Sequence, residues 1–257
     1  MCLVNSQKGV FSFIYMKRMN NLINLLKNKK GKLMVVFPHP DDETVATGGL
    51  LLSAKENGWS TVVVTLTKGD AGQCYIDKNG LELSEIREKE LKKATDILKA
   101  DRLIAASFPD AKLRENELKV EKYLVSLLHK ERPNTVVTYD HSGFTGHPDH
   151  ISLSTVLLKI ISKLKLNTDL YWVSAPSFLA KLVINNKTVK YSMPPTHYLS
   201  IGVNIFAKLR ACLAHKSQDV GGRNVLLYLY LVIFNREWYY KVDLTKKYKH
   251  EFVYFKI

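Results

Sequence analysis

The chain has three cysteines in 257 residues, Cys2, Cys74 and Cys212. Their odd number and lack of any CxxC spacing argue against a disulfide framework and a cysteine-ligated zinc, and imply a reducing, cytoplasmic setting. Long apolar runs are also missing. Val225–Phe234 is about half the length of a membrane helix and reads as a core strand or buried helix. Val10–Met16 is shorter still, and most of the nearby basic residues follow it, unlike a secretory signal. The expectation is that Met16 or Met19 is the true start, with a peripheral membrane contact as the second reading. Acidic residues are scarce. There are 24 Asp and Glu against 38 Lys and Arg, a net charge of +14, which admits nucleic acid, an anionic membrane face or acidic small substrates as partners. The lysines are dispersed, over Lys27–Lys32, Lys89–Lys93, Lys159–Lys165 and Lys246–Lys249. No Arg-rich arm or base-reading motif accompanies them, so no nucleic acid is expected and the surplus reads as a solvated surface.

What is present is an ordinary globular balance, 46% hydrophobic and 24% charged, in a length that suits one large α/β domain. Apolar strands alternate with amphipathic helices. Leu33–Phe37 leads to a helix over Asp42–Glu56, and Thr61–Leu66 to one over Ser84–Lys99. Leu103–Ala106 leads to a helix over Glu117–Lys130, Thr135–Tyr139 to one over Pro148–Lys163, and Leu170–Val173 is a further strand. This rhythm predicts a Rossmann-like, mostly parallel sheet with helices on both faces. Residues 1–30 are expected to be an extension, and residues 31–257 one domain. From about residue 175, short strands (Ser177–Ile184, Thr188–Tyr191, Tyr198–Val203) and a helix over Ile205–Lys216 are expected to form a small C-terminal cap.

Two polar clusters stand at strand ends: Pro38-His39-Pro40-Asp41-Asp42-Glu43 after the first strand, and Gly146-His147-Pro148-Asp149-His150 after the fourth. In open parallel sheets, chemistry gathers outside the carboxyl ends of the strands. His39 and Asp42 are three apart across a strand-to-helix turn, as are His147 and His150, with Pro148 suited to the first position of a helix. Either cluster alone is explained as a polar turn with an acidic helix start. Together they offer three His and Asp ligands with an open fourth position, the pattern of a catalytic metal. The set His39, Asp42 and His150 leaves Asp41 and His147 beside the metal yet unbound. That inventory suits metal-assisted hydrolysis. His129, His197 and His250 have no such context, and His141 reads as a supporting loop residue.

With these motifs the chain resembles the PIG-L/LmbE-like zinc de-N-acetylases, from about Lys32 to Gln218. Softer matches are Thr67-Lys68-Gly69-Asp70-Ala71-Gly72, Glu85-Ile86-Arg87 with Glu90-Leu91, and Ala214-His215-Lys216-Ser217-Gln218. The resemblance implies a zinc site (iron as a substitute) held by His39, Asp42 and His150, with Asp41 as general base. It implies that His147, held by Asp149, is the protonated partner of the tetrahedral intermediate. Arg87 is implied to bind substrate, the alternative being an exposed pair with Glu90. His215 is implied to line the pocket or cap the late helix. Thr145 stands where some family members carry a tyrosine. The implied activity is removal of the N-acetyl group from an N-acetylglucosamine-containing conjugate, an amino-sugar small molecule expected to be anionic, by an enzyme expected to self-associate. The alternatives are an amidase acting on a sugar-thiol conjugate and a non-catalytic basic binding protein with a structural metal.

Overall fold

The β-branched runs and amphipathic segments fold as they alternate. Strand β2 (Lys32–Phe37) leads to helix α2 (Asp42–Glu56), β3 (Ser60–Thr67) to α3 (Leu83–Ile97), and β4 (Arg102–Phe108) to α4 (Glu117–Glu131). Strand β5 (Thr135–Tyr139) leads to α5 (Pro148–Leu164), and β6 (Asp169–Ser174) follows. These five strands are parallel. The computed structural model describes residues 19–164, 166–176, 179–180, 188–218, 235–246 and 248. Its other elements are β1 (Asn20–Asn21), α1 (Leu22–Asn28), β7 (His197–Ser200), α6 (Ile205–Cys212) and β8 (Arg236–Lys241). One sheet runs β1-β7-β8-β6-β5-β2-β3-β4.

Period-two alternation divides each central strand between two cores. Leu33, Val35 and Phe37 meet Leu22, Leu50, Ala94 and Ala211, from helices α1, α2, α3 and α6. Met34 and Val36 meet Val120, Leu124, Leu153 and Leu157, from α4 and α5. Covering both faces is what nearly continuous apolar strands require. The sheet is therefore α/β with helices on both sides, as expected. No described helix is long and apolar enough to cross a membrane.

Several expectations change. Residues 20–28, assigned to an extension, are part of the fold: Asn20 and Asn21 pair with β7, and Leu22 and Leu26 are buried. Val189–Tyr191 is a 3-10 turn and not a strand. The strand expected over Tyr198–Val203 is β7, which ends at Ser200 before a 3-10 turn at Gly202–Asn204. Helix α6 stops at Cys212, short of Lys216. The last third also does more than cap. Strand β8 pairs antiparallel with β6 and β7, so the main sheet continues where β6 would otherwise present an unpaired edge. Most of Ser177–Ile184, and all of Val225–Phe234, Cys2 and His250, lie outside the described residues.

The functional consequence is in the strand order. Neighbouring strands β2 and β5 send their chains in opposite directions across the sheet, toward β3 and toward β6. This is a topological switch point, and the crevice at the carboxyl ends of the two strands is where such sheets bind ligands.

Candidate active site

Both polar clusters reach this crevice. The His39 N–H donates to Asp42 Oδ2 at 3.0 Å, closing the turn between β2 and α2. Helix α5 begins at Pro148 and brings His150 in from the other side. His150 Nδ1 is 2.9 Å from the Gly143 carbonyl, so it carries the proton and leaves Nε2 as a lone pair. That Nε2 lies 3.2 Å from His39 Nδ1 and 3.5 Å from Asp42 Oδ1. His39 Nδ1 is 3.4 Å from Asp42 Oδ2. Tyr139, the last residue of β5, donates its hydroxyl to Asp42 Oδ1 at 3.0 Å. All three candidate ligands are at most 9% exposed.

Whether these residues fit a metal depends on which nitrogen of His39 faces it. Among the described residues, two donor groups have ligand atoms within 4.8 Å of one another: His39, His147 and His150, and His39, Asp110 and Asp149. His39 Nε2 is 3.1 Å from Asp110 Oδ1 and 3.4 Å from Asp149 Oδ2. A ring N–H held by a carboxylate is how metal-bound histidines are usually oriented, with the opposite nitrogen on the ion. This assigns Asp110 and Asp149 to the outer side of His39, and His150 and Asp42 to the ion's side. The charge balance agrees. Burial opposes a charge on His39, yet hydrogen bonds to Asp110, Asp149 and Asp42 outweigh it and raise its pKa well above the usual value. Burial holds His150 down at about 4 despite the attraction of Asp42. Asp42 is pulled below the usual carboxylate range by His150 and His39, against the effect of burial. The pocket therefore calls for positive charge, which a divalent ion supplies as well as a proton does. The donor set fits.

Asp41 is built differently from its neighbour. Its φ is 102° and ψ −33°, a conformation that costs an L-residue on the order of 1–3 kcal/mol. Its N–H donates to Glu43 Oε2 at 3.0 Å, and Arg87 Nη2 donates to its Oδ2 at 3.2 Å. The side chain remains 17% exposed. Burial, with the charges of Asp42 and Glu43 adding to it, pushes the carboxyl up to about 7, against the pull of Arg87 and His215. A partly accessible carboxylate with that affinity is suited to taking a proton near neutral pH.

The structure relocates several expected contacts. Arg87 is 4% exposed and does not pair with Glu90, whose carboxylate instead accepts from Ser217 N and Oγ at 2.7 and 2.6 Å. Its guanidinium goes to the Gly69 carbonyl at 2.8 Å, to the Pro40 carbonyl and to Asp41. The grip on an anionic substrate expected of Arg87 is thus replaced by contacts within the protein. His215 is fully buried with its ring 3.2 Å from Glu43 Oε1, away from open solvent, and its backbone N–H donates to the Cys212 carbonyl at the end of α6 at 3.1 Å. Its stretch is tied to the loop after β3 through Ser217 O, which accepts from Tyr75 N at 2.9 Å. His147 is held by the Asp149 backbone N–H, which donates to its Nδ1 at 3.2 Å, and not by the Asp149 carboxylate. That geometry follows from its place just before the helix, where the second N–H needs an acceptor. The Asp149 carboxylate meets His39 and the Leu113 N–H instead. Burial, then the charge of His39, lowers the His147 pKa. Thr145 Oγ1 donates to the Gly143 carbonyl at 3.5 Å, and His141 packs against Trp172. Asp110, Tyr139 and Glu43 are site residues that sequence reasoning left unassigned. The available signal was position: Asp110 and Tyr139 stand at the ends of β4 and β5, and Glu43 completes the first cluster.

Comparison with known proteins bears on the family and the fold. The family profile described as "PIG-L: GlcNAc-PI de-N-acetylase" matches residues 34–161, which include both polar clusters. Diacetylchitobiose deacetylase of Thermococcus kodakarensis is 28% identical over 205 residues, 76% of this chain and 73% of that protein. A probable N-acetyl-alpha-D-glucosaminyl L-malate deacetylase 2 of Bacillus anthracis is 28% identical over 197 residues, 75% of this chain and 83% of its own. Among solved structures, N,N'-diacetylchitobiose deacetylase of Pyrococcus horikoshii superposes with a TM-score of 0.66 at 21% identity, over 95% of this chain and 97% of that one, and this speaks to the fold. Over residues 34–161 the chain thus matches the PIG-L family, and the relatives named above are deacetylases.

Proposed function

We propose that this protein is a zinc-dependent de-N-acetylase that hydrolyses the acetamide of an N-acetylglucosamine-containing conjugate, releasing acetate and a free amine. The observation that carries this reading is the meeting of His39 Nδ1, His150 Nε2 and the Asp42 carboxylate within 3.2–3.5 Å at the switch point. Asp41 lies beside them with its carboxylate turned to Arg87, outside the ligand set. Relatives named for removing acetyl groups from diacetylchitobiose and from a glucosaminyl malate support the reaction class.

His39, Asp42 and His150 would hold the ion. An ion bound there supplies Lewis acidity to the acetyl carbonyl and lowers the pKa of water. Asp41 takes the proton of the attacking water. His147, with Nδ1 occupied by the Asp149 N–H, carries its proton on Nε2, where it serves the developing oxyanion or the departing amine. Asp110 and Asp149 orient His39, and Tyr139 orients Asp42.

The test is release of acetate and free amine from N,N'-diacetylchitobiose, N-acetylglucosaminyl malate and N-acetylglucosaminyl inositol. Each is incubated with zinc-loaded protein and with chelator-treated protein. Release that depends on metal is expected for at least one conjugate. A metal-loaded, folded protein inert on all three would remove the proposal.

A further inference from the structure

The geometry points to Arg87 as a positioning residue: with Glu43 on the opposite edge of the same peptide, it holds Asp41 in its left-handed backbone conformation. This rests on the reading of Asp41 as proton acceptor. The bond that must be held is N–Cα of Asp41. Rotation about φ of Asp41 turns the Pro40–Asp41 peptide plane against the substituents on the Asp41 Cα. At φ 102° that rotation relaxes toward negative values unless the surroundings prevent it. The peptide plane is gripped at both edges. Its carbonyl, that of Pro40, accepts from Arg87 Nη2, and its N–H, that of Asp41, donates to Glu43 Oε2 at 3.0 Å. The same Arg87 Nη2 also donates to Asp41 Oδ2 at 3.2 Å. One nitrogen thus spans the rotating bond, tying the plane on one side to the side chain on the other.

Each part of this clamp is itself fixed. Arg87 Nη1 donates to the Gly69 carbonyl at 2.8 Å. Gly69 is required there twice over: its φ is 67°, and a Cβ would lie 2.3 Å from Arg87 Nη1. Glu43 is fully buried and held by Thr44 Oγ1 at 2.6 Å and by His215 Nε2 at 3.2 Å. The three stretches that resemble the family outside the ligand clusters therefore converge on one peptide. Gly69 seats the guanidinium, Arg87 grips, and His215 backs Glu43. A lysine would bring a point charge without the planar fork needed to reach Gly69 and Pro40 together.

The test compares Arg87→Lys, Arg87→Met and Glu43→Gln with wild type and with Asp41→Asn, using N,N'-diacetylchitobiose as the neutral probe. Arg87→Met is expected to lower kcat by roughly 10–100-fold, the scale of a misplaced catalytic group. KM and bound metal should be unchanged, and Arg87→Lys should fall between. In the Asp41→Asn background Arg87→Met should cost nothing further, because it acts through the missing carboxylate. A raised KM with kcat preserved would place Arg87 on the substrate and overturn the inference, as would a full second loss in the double variant. If Asp41→Asn alone keeps wild-type turnover, or the probe is not a substrate, crystal structures of Arg87→Lys and Arg87→Met decide. Asp41 relaxed to negative φ supports the clamp, and Asp41 still near φ +100° in both variants rejects it. Should Arg87→Met fail to fold, Arg87→Lys and Glu43→Gln carry the same comparisons.

Discussion

Helix α2 carries two buried charged clusters, and they are built to opposite rules. At its first turn, Asp41, Asp42 and Glu43 crowd three carboxylates together with Arg87 and His215. At its middle, Glu237 of β8 meets Lys208 of α6. The Glu237 carboxylate is satisfied on every side: it accepts from Gly49 N at 2.7 Å, Leu50 N at 2.8 Å, Lys208 Nζ at 2.6 Å and Tyr239 Oη at 2.6 Å. The first-turn cluster holds a residue at φ 102°, and Arg87 Nε and His215 Nδ1 have no partner among the described residues. A buried polar group without a partner costs on the order of 1–3 kcal/mol. One cluster is thus arranged for low energy and the other keeps strain in place. Strain and like charges gather where pKa values must be tuned, whereas a satisfied ion pair locks one packing arrangement.

The comparison breaks if the two clusters respond alike to substitution. The largest effects belong to the first turn. Asp42→Ala or His150→Ala should remove bound zinc and reduce turnover to background, checked by elemental analysis beside the acetate assay. Asp41→Asn should lose roughly 10²–10⁴-fold in kcat while keeping metal and melting temperature, since it lies outside the proposed ligand set. Retained turnover in Asp41→Asn would falsify its assignment as the base. At the middle of the helix the pattern inverts. Glu237→Ala leaves the fully buried Lys208 ammonium unpaired, with an expected loss of about 3–5 kcal/mol in urea unfolding and normal kcat per folded molecule.

A buried carboxylate outside both clusters sharpens the point. Asp140 accepts from Ser142 N, Ser142 Oγ and Met193 N. Burial pushes it up to about 6 in spite of those bonds. A carboxyl whose folded pKa is raised binds more protons folded than unfolded between about pH 4 and 6, so its contribution to stability falls as pH rises through that window. The stability of wild type relative to Asp140→Asn should therefore drop by up to about 3 kcal/mol from pH 4 to pH 7. A flat difference would mean that neutral donors compensate the charge fully. The smallest expected effect concerns the approach to α2. A Cβ on Gly49 would lie 2.8 Å from Ile201 Cγ1 and 3.0 Å from Glu237 Oε1. Gly49→Ala should then cost about 1–3 kcal/mol as an overpacked contact, with activity untouched.

The parallel half of the fold was legible because its strands are continuous apolar runs bounded by helices with matching periodicity. The candidate ligand clusters stood out because His39–Asp42 and His147–His150 each repeat at three and stand at strand ends. What escaped detection was nonlocal. Strand β8, whose Glu237, Trp238 and Tyr239 are buried in succession, joins the sheet through partners far away in sequence. Residues 20–28 are too short to signal and gain their order from β7 and the core. Arg87 and His215 looked like residues reaching for substrate because a long charged side chain gives no sign of where it points.

The sequence by itself determined the two cores, the two polar clusters and the strand ends that carry them, since hydrophobic period and turn chemistry are local properties. Tertiary structure alone decided what each polar atom faces. It turned Arg87 inward, gave Asp110 to His39 and set Glu237 against the middle of α2. The reason is that hydrogen bonding and desolvation depend on which groups meet across elements, and the meeting point of β2, β5 and the helices that follow them exists only once the sheet has formed.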